Sequence, residues 1–193
     1  MTVRAKLKRS WKQVMGACLA MASVSSISAV TTTAGAAVRY KTVAHAGHLP
    51  PDVRHVRTVR SAGEGASWQA KYNAVLRVAR SKLGTPYRWG HNEDRGQYGF
   101  DCSNYTEYVY HHALGYKFTT SSRGQARHVG WRVPRKDMRP GDLLIFENGK
   151  HVGIYVGHNE MIQEGGGKGK VAYMKIGPGY YWHNHLTAVK RMF

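Results

Sequence analysis

Two helical patterns come first in this chain and a series of short strand patterns follows, and this order limits the fold more than any other feature. Apolar residues between Ser67 and Leu83 recur at steps of three and four, which predicts a helix with Ser67 as its N-cap and Gly84 at its end. A second helix is predicted over 101–114, with Gly115 as its stop. Helices that precede strands, rather than alternating with them, favour an α+β domain.

The strand patterns occupy the second half of the chain, after a helical or irregular piece at 122–129. They are predicted at 143–146, 151–156, 160–164, 171–176 and 187–192. Glycine and asparagine in the intervening turns favour antiparallel pairing. We therefore expect N-terminal helices packed on an antiparallel β-sheet of about five to six strands, within a single domain.

The first 36 residues have the three-part layout of a secretory signal. A basic start with Arg4, Lys6 and Lys8 is followed by an apolar stretch at 14–30 and then by an A-x-A pattern that ends at Ala36. We expect cleavage after Ala36. The alternative is an uncleaved anchor, which the serines within the apolar stretch disfavour because a membrane span needs about 20 apolar residues. A secreted or cell-envelope protein without a stable membrane span is therefore expected.

Residues 37–65 are predicted to be a basic flexible linker, and residues 66–193 to be the folded domain. The linker segment shows no sustained period of two or 3.6 residues. The net charge of +18 suits an anionic polymer, an anionic membrane or nucleic acid. The export signal and the lack of a recognition module disfavour nucleic acid. The linker is expected either to attract an anionic wall polymer or to be a simple tether.

Cleavage would leave a single cysteine, Cys102, at the start of the second predicted helix. A secreted protein with one cysteine has no internal disulfide, so this thiol is either a small buried apolar residue or a nucleophile. The helix N-terminus stabilises an anion and lowers the pKa of a cysteine placed there. This position favours the nucleophile, as a thiolate.

The partner expected for this thiolate is His151, at the start of a predicted hairpin. A turn at 156–158 would place Gln163 opposite His151 on the same face of the sheet, where it could orient the imidazole as the third member of a triad does. A slip of one residue would bring Glu164 there instead, and Gln163 could equally be an ordinary edge-strand residue. Neither a cysteine pair nor an HExxH spacing supports a metal site, so no metal or cofactor is expected.

Five stretches in a consistent order together resemble the NlpC/P60 family of cell-wall cysteine peptidases. They are Leu83-Gly84-Thr85-Pro86-Tyr87-Arg88-Trp89-Gly90, Phe100-Asp101-Cys102-Ser103, Ser122-x-x-Gln125, Arg139-Pro140-Gly141-Asp142-Leu143 and His151-Val152-Gly153-Ile154-Tyr155. The resemblance implies a papain-like fold with Cys102 as nucleophile, His151 as base and Gln163 as third residue. It also implies an oxyanion site formed by the Tyr87 hydroxyl and the Cys102 backbone N–H, and substrate contacts from Asp101, Ser103, Trp89 and Gln125.

The substrates that the resemblance implies are peptidoglycan stem peptides, often cut between γ-D-glutamate and the diamino acid. Three features depart from the family pattern. Asn104 stands where glycine is usual, Phe118-Thr119-Thr120 stands where a Leu-Pro-Arg run is common, and Lys150 precedes the histidine where a small residue is usual. Intact Cys102 and His151 favour a cysteine endopeptidase over the alternative, a catalytically inactive wall-binding or scaffold protein of the same fold.

Overall fold

A computed structural model describes residues 48–56 and 62–193, so the expected signal segment and much of the expected linker lie outside the described residues. The helices are α1 (Trp68–Ser81), α2 (Cys102–Leu114), α3 (Ser122–His128) and α4 (Tyr181–His185). The strands are β1 (Arg54–His55), β2 (Tyr116–Lys117), β3 (Trp131–Val133), β4 (Leu143–Phe146), β5 (His151–Gly157), β6 (Glu160–Gln163), β7 (Ala172–Lys175) and β8 (Leu186–Arg191). Among the described residues, no helix is both long and apolar enough to cross a bilayer.

Strands β3 to β8 form one antiparallel sheet of six strands in the order β3-β8-β4-β5-β6-β7. Alternation along β4 sends Leu143 and Ile145 into the core shared with helices α1 and α2, whereas Leu144 and Phe146 pack with Trp182 of α4. The helices therefore pack on the sheet, as the order of helical and strand patterns in the sequence predicts. The α+β class with six antiparallel strands is confirmed.

Helix α1 begins after its predicted N-cap, and α2 begins one residue after the predicted start, with Asp101 as its N-cap. The hydroxyl of Ser67 accepts a hydrogen bond from the Ala70 N–H at 3.2 Å, and α1 begins at the next residue. Asp101 caps α2, which ends at Gly115 in the left-handed conformation with a φ of 76°. The consequence for function is that Cys102 is the first residue of a well-capped helix.

Part of the segment expected to be a flexible linker packs against the domain. Arg54 pairs with Lys117, and the Val56 N–H donates to the Gly115 carbonyl at 2.7 Å. Val53 is buried, and Leu49 packs against the same core. The structure differs from the expectation here because these apolar side chains find a partner in β2, far along the chain, which no local pattern reveals.

The hairpin of β5 and β6 has a different register from the one expected. Ile154 pairs with Ile162 and Tyr155 with Met161, so the expected pairing of His151 with Gln163 is wrong. The turn lies at His158-Asn159, whose φ values of 51° and 56° are typical of a two-residue hairpin turn. The register places Gln163 opposite Gly153 rather than opposite His151. The shift is an even number of residues, so Gln163 stays on the same face of the sheet as His151.

Candidate active site

Cys102 lies at the N-terminus of α2 and is 8% exposed. The backbone N–H groups of Val152, Ser103 and Cys102 itself interact with its sulfur and favour the thiolate. Burial, followed by the nearby charge of Asp101, outweighs these donors and raises the pKa of Cys102 to about 11. The direction is opposite to the one expected for a helix N-terminus, and it favours the thiol over the thiolate.

His151 begins β5 and directly precedes Val152, whose N–H reaches the Cys102 sulfur. Its ring packs against Trp182, with ring centroids 4.8 Å apart and planes inclined by 31°. Burial lowers the pKa of His151 to about 4, and interactions with Gln163 and Glu147 only partly oppose this change. Burial thus shifts both pKa values in the direction that favours a thiol and a neutral imidazole, opposite to the thiolate–imidazolium pair expected from the sequence.

The Gln163 side chain is the polar side chain that interacts most with the His151 ring. It is fully buried, and a Cβ atom on Gly166 would collide with its amide, so glycine is needed there for the chain to pass. No hydrogen bond of standard geometry joins the two side chains: Nε2 of His151 and Oε1 of Gln163 are both buried without a partner. A small rotation of the amide would join this donor and acceptor and satisfy both.

Glu164, the alternative to Gln163, follows it in the chain and so projects to the other side of the strand. It is fully buried, and among the described residues neither carboxylate oxygen makes a hydrogen bond of standard geometry, although the backbone N–H of Gly165 interacts with the carboxylate. Its electrostatic neighbours are Tyr87, Tyr105 and Asp101, not His151. Burial raises the pKa of Glu164 to about 8, a change that the Gly165 backbone N–H partly opposes and the charge of Asp101 reinforces.

Tyr87 stands beside the thiol. Its ring packs on Gly165, where a Cβ atom would come within 2.8 Å of the ring carbon Cδ2. Burial raises the pKa of Tyr87, and the charges of Cys102, Asp101 and Glu164 raise it further. The hydroxyl is therefore protonated at neutral pH and is close enough to interact electrostatically with the sulfur. It meets these two requirements for a group that donates a hydrogen bond to an oxyanion.

Both carboxylate oxygens of Asp101 accept hydrogen bonds that stabilise the local structure. Oδ1 accepts from the backbone N–H groups of Ser103 at 3.1 Å and Asn104 at 2.8 Å. Oδ2 accepts from the Gly90 N–H and from the Asn104 amide, both at 2.8 Å. Asn104, which departs from the family's usual glycine, thus joins the start of α2 to the loop before it.

A groove of about 370 Å³ opens beside the start of α2. Its lining includes three of the predicted substrate-binding residues, Trp89, Asp101 and Ser103, and Trp89 is 83% exposed. The structure does not place Gln125 there. The Gln125 side chain is fully buried and donates to the carbonyls of Ser103 and Thr119, both at 2.9 Å, so it holds α3 against α2.

Sequence reasoning missed two residues of the site. Trp182 stacks on His151 from α4, a helix of five residues that is too short to show an apolar period. The run Tyr180-Tyr181-Trp182 was the available signal, because three adjacent aromatic residues are unusual in a loop. Glu164 was considered only as a partner for His151, whereas the structure places it beside Tyr87.

Residues 84–191 match the NlpC/P60 family. The chain belongs to this family. It is 31% identical over 119 residues to a probable endopeptidase NlpC homolog of Haemophilus influenzae, a match that covers 62% of each chain. It is 28% identical over 185 residues to the murein DD-endopeptidase MepH of Escherichia coli, covering 89% of this chain and 65% of that one. A gamma-DL-glutamyl hydrolase of Bacillus subtilis is 32% identical over 123 residues, which are 61% of this chain and 28% of that protein.

The chain therefore spans less than two thirds of the length of these relatives. Among solved structures, the peptidoglycan hydrolase RipB of Mycobacterium tuberculosis is similar with a TM-score of 0.55 and 27% identity, covering 65% of this chain and 66% of that one. Structures of the protein RipA altered at a cysteine, a histidine and a glutamate match with TM-scores of 0.55, 0.54 and 0.54 and 26% identity, each covering 64% of this chain and 62% of that one. RipD of Mycobacterium tuberculosis, described as a non-catalytic domain adapted to peptidoglycan binding, matches with a TM-score of 0.53 and 24% identity, covering 64% of this chain and 98% of that one.

Proposed function

We propose that this NlpC/P60 protein is a secreted cysteine endopeptidase that hydrolyses peptidoglycan stem peptides. The observation that carries the proposal is the contact between the Cys102 sulfur at the start of α2 and the N–H of Val152, the residue after His151. It brings a thiol, an imidazole and several backbone donors to one place beside an open groove. Nucleophile, base and oxyanion donors are the groups that acyl transfer requires.

The roles of Cys102, His151 and Gln163 are supported by the altered RipA structures. The cysteine, histidine and glutamate altered in those structures are separated by the same numbers of residues that separate Cys102, His151 and Gln163 in this chain. Gln163 would then hold the imidazole through its amide oxygen in place of a carboxylate. This proposal accounts for the two unpartnered buried atoms, Nε2 of His151 and Oε1 of Gln163.

The geometry supports a reaction that starts from the neutral pair. As the Cys102 sulfur attacks the scissile carbonyl carbon, its proton passes to the His151 ring, which the Gln163 amide orients. The Tyr87 hydroxyl and the Cys102 N–H stabilise the resulting oxyanion, and removing one such donor costs about 10²–10³ in rate. His151 then protonates the leaving amine as the C–N bond breaks. Water, deprotonated by the same ring, hydrolyses the thioester and releases the thiol.

The bond between γ-D-glutamate and the diamino acid is the cleavage site that we propose. The similarity to a gamma-DL-glutamyl hydrolase supports this choice, whereas the name of MepH denotes a DD-endopeptidase. A second candidate function is a catalytically inactive wall-binding protein, since RipD shows that this fold can be non-catalytic. The basic segment before the domain would help either protein to approach an anionic wall polymer.

One experiment separates these proposals. Purified muropeptides are incubated with the protein and with a Cys102→Ala variant, and the products are identified by mass. We expect cleavage between γ-D-glutamate and the diamino acid, with a loss of at least about 10³-fold in the variant because no other nucleophile is at hand. Products cut at a D,D-bond would correct the substrate assignment. Muropeptide binding without any product would favour the wall-binding function, and equal cleavage by both proteins would exclude Cys102 as the nucleophile.

A further inference from the structure

A second cluster of reactive side chains lies at the other end of helix α2 from Cys102. The 3-10 turn Glu93–Arg95 meets the last turn of α2, and Asp94 lies between two imidazoles there. Its Oδ2 is 2.7 Å from Nδ1 of His111, and its Oδ1 is 2.6 Å from Nε2 of His112. One ligand atom from each residue can be chosen so that all three lie within 4.8 Å of one another. The turn and the helix thus present three converging donor atoms.

We propose that Asp94, His111 and His112 bind a divalent zinc ion. Two imidazole nitrogens and one carboxylate oxygen form a ligand set typical of zinc, with water in the fourth position. Zinc holds such atoms at about 2.0–2.2 Å and therefore roughly 3.3 Å from one another. The imidazole nitrogens would move outward from the Asp94 oxygens, which lie 2.7 and 2.6 Å away, while the longest separation, at most 4.8 Å, would shorten. The three side chains are 18%, 14% and 39% exposed, so an ion can enter from solvent.

Lys117 is the one cation that competes for this position among the described residues. Its Nζ lies 3.1 Å from Oδ2 of Asp94 and 2.8 Å from Oε1 of Glu107. The Glu107 side chain is only 2% exposed and needs a positive partner. A zinc ion would displace Lys117 from Asp94 and leave it paired with Glu107. The ammonium group therefore has a second acceptor in place, and zinc binding leaves no buried charge unpaired.

The ion would connect the wall of the groove to the helix that carries Cys102. Asp94 is followed by Arg95, whose Nη2 donates to the Gly90 carbonyl and to Oδ1 of Asn104, both at 2.8 Å. Gly90 and Arg95 both line the groove. A zinc ion on Asp94 would fix the 3-10 turn to α2 and so hold this wall in position. Its role is structural, because the cluster lies about three helical turns from Cys102.

The test is a calorimetric titration of zinc chloride into the full chain carrying Cys102→Ala, because a thiol and an imidazole can themselves bind zinc. We expect saturable binding that weakens at least about tenfold in Asp94→Asn and in His112→Gln, each of which removes one ligand. His128→Gln, which changes an exposed histidine on α3, is the matched control and should leave the affinity unchanged.

Thermal unfolding with and without zinc gives the second readout. Zinc should raise the unfolding temperature of the Cys102→Ala protein and of the His128→Gln control, and the increase should shrink in the two ligand variants. Unfolding curves in the presence of a chelator show whether those variants fold. The proposal is overturned if the Cys102→Ala protein does not bind zinc. Binding of equal strength in folded Asp94→Asn and His112→Gln would overturn it as well, because zinc would then bind elsewhere.

Discussion

Buried polar groups flank Cys102 on two sides, and the two sides are satisfied to different degrees. On the α2 side, both oxygens of Asp101 accept hydrogen bonds, and the amide of Gln125 is fully paired. On the strand side, Nε2 of His151, Oε1 of Gln163 and both carboxylate oxygens of Glu164 make no hydrogen bond of standard geometry within the described part of the chain. The first set has the pattern of a structural network and the second does not.

The difference between the two sides indicates which residues around the thiol contribute to stability and which contribute to function. A satisfied network costs little to bury and holds α2, α3 and the Gly90 loop together. Unsatisfied buried atoms cost free energy, and such groups persist where a ligand or a reacting group completes them. Replacing residues of the first set should therefore reduce the free energy of unfolding, whereas replacing residues of the second set should change activity or even stabilise the fold.

The largest change in stability is expected for Asp101→Ala. It would leave the N–H groups of Gly90, Ser103 and Asn104 without their acceptor, and should lower the free energy of unfolding by about 2–4 kcal/mol. Urea unfolding followed by far-UV circular dichroism measures the loss. The matched control is Ser67→Ala, which removes the exposed cap of α1 and its single hydrogen bond at 3.2 Å, and should cost only about 0.5–1 kcal/mol. Equal losses in the two variants would show that the Asp101 network adds no more stability than a single exposed cap.

A smaller effect, now on activity, is expected at Gln163. Gln163→Ala should lower kcat/KM for a muropeptide by about 10–100-fold while the protein stays folded, because the His151 ring loses its orienting partner. The interaction with Gln163 raises the pKa of His151, so its loss lowers that pKa further, and the acidic limb of the pH–rate profile should move to lower pH. Gln163→Glu places a negative charge beside the ring and should move the same limb to higher pH. Gln69→Ala, an exposed change on α1, is the control. Shifts in the same direction for both Gln163 variants would contradict an orienting role.

Local sequence patterns placed the ends of the helices, but neither the register of the strands nor the aromatic contact of His151. Ser67, Asp101 and Gly115 act within one turn of their own helices, so caps and periodicity were enough to place α1 and α2. The register of β5 and β6 depends on two residues in the left-handed conformation, His158 and Asn159, and was wrong when inferred from chain symmetry alone. The contact of Trp182 with His151 joins distant parts of the chain through a helix of five residues.

The depth to which a side chain is buried could not be predicted from the sequence either. Burial reversed the expected direction of the pKa shift of Cys102. A helix N-terminus predicts a lowered pKa for Cys102, but the protein around the sulfur raises that pKa to about 11. Gln125 was predicted to contact substrate by resemblance, yet its side chain is enclosed between α2 and α3. Neither outcome follows from residue spacing, because both depend on what surrounds a side chain after the helices pack.

The effect that opposes intuition is expected at Glu164. Burial raises its pKa to about 8, so the folded protein keeps a proton that the unfolded chain releases near the ordinary value of 4.5. Stability should therefore decline as the pH rises from about 4.5 to about 8, and the decline should disappear in Glu164→Gln, whose amide does not titrate.

The variant should gain roughly 1–3 kcal/mol over the parent at pH 8 relative to pH 4, after allowance for solvent screening. Urea unfolding of both proteins at the two pH values measures this difference, with Glu160→Gln on the same hairpin as the matched control. A stability difference between Glu164→Gln and the parent that is the same at both pH values would show that Glu164 is charged in the folded protein, and would place it on the satisfied side of the comparison.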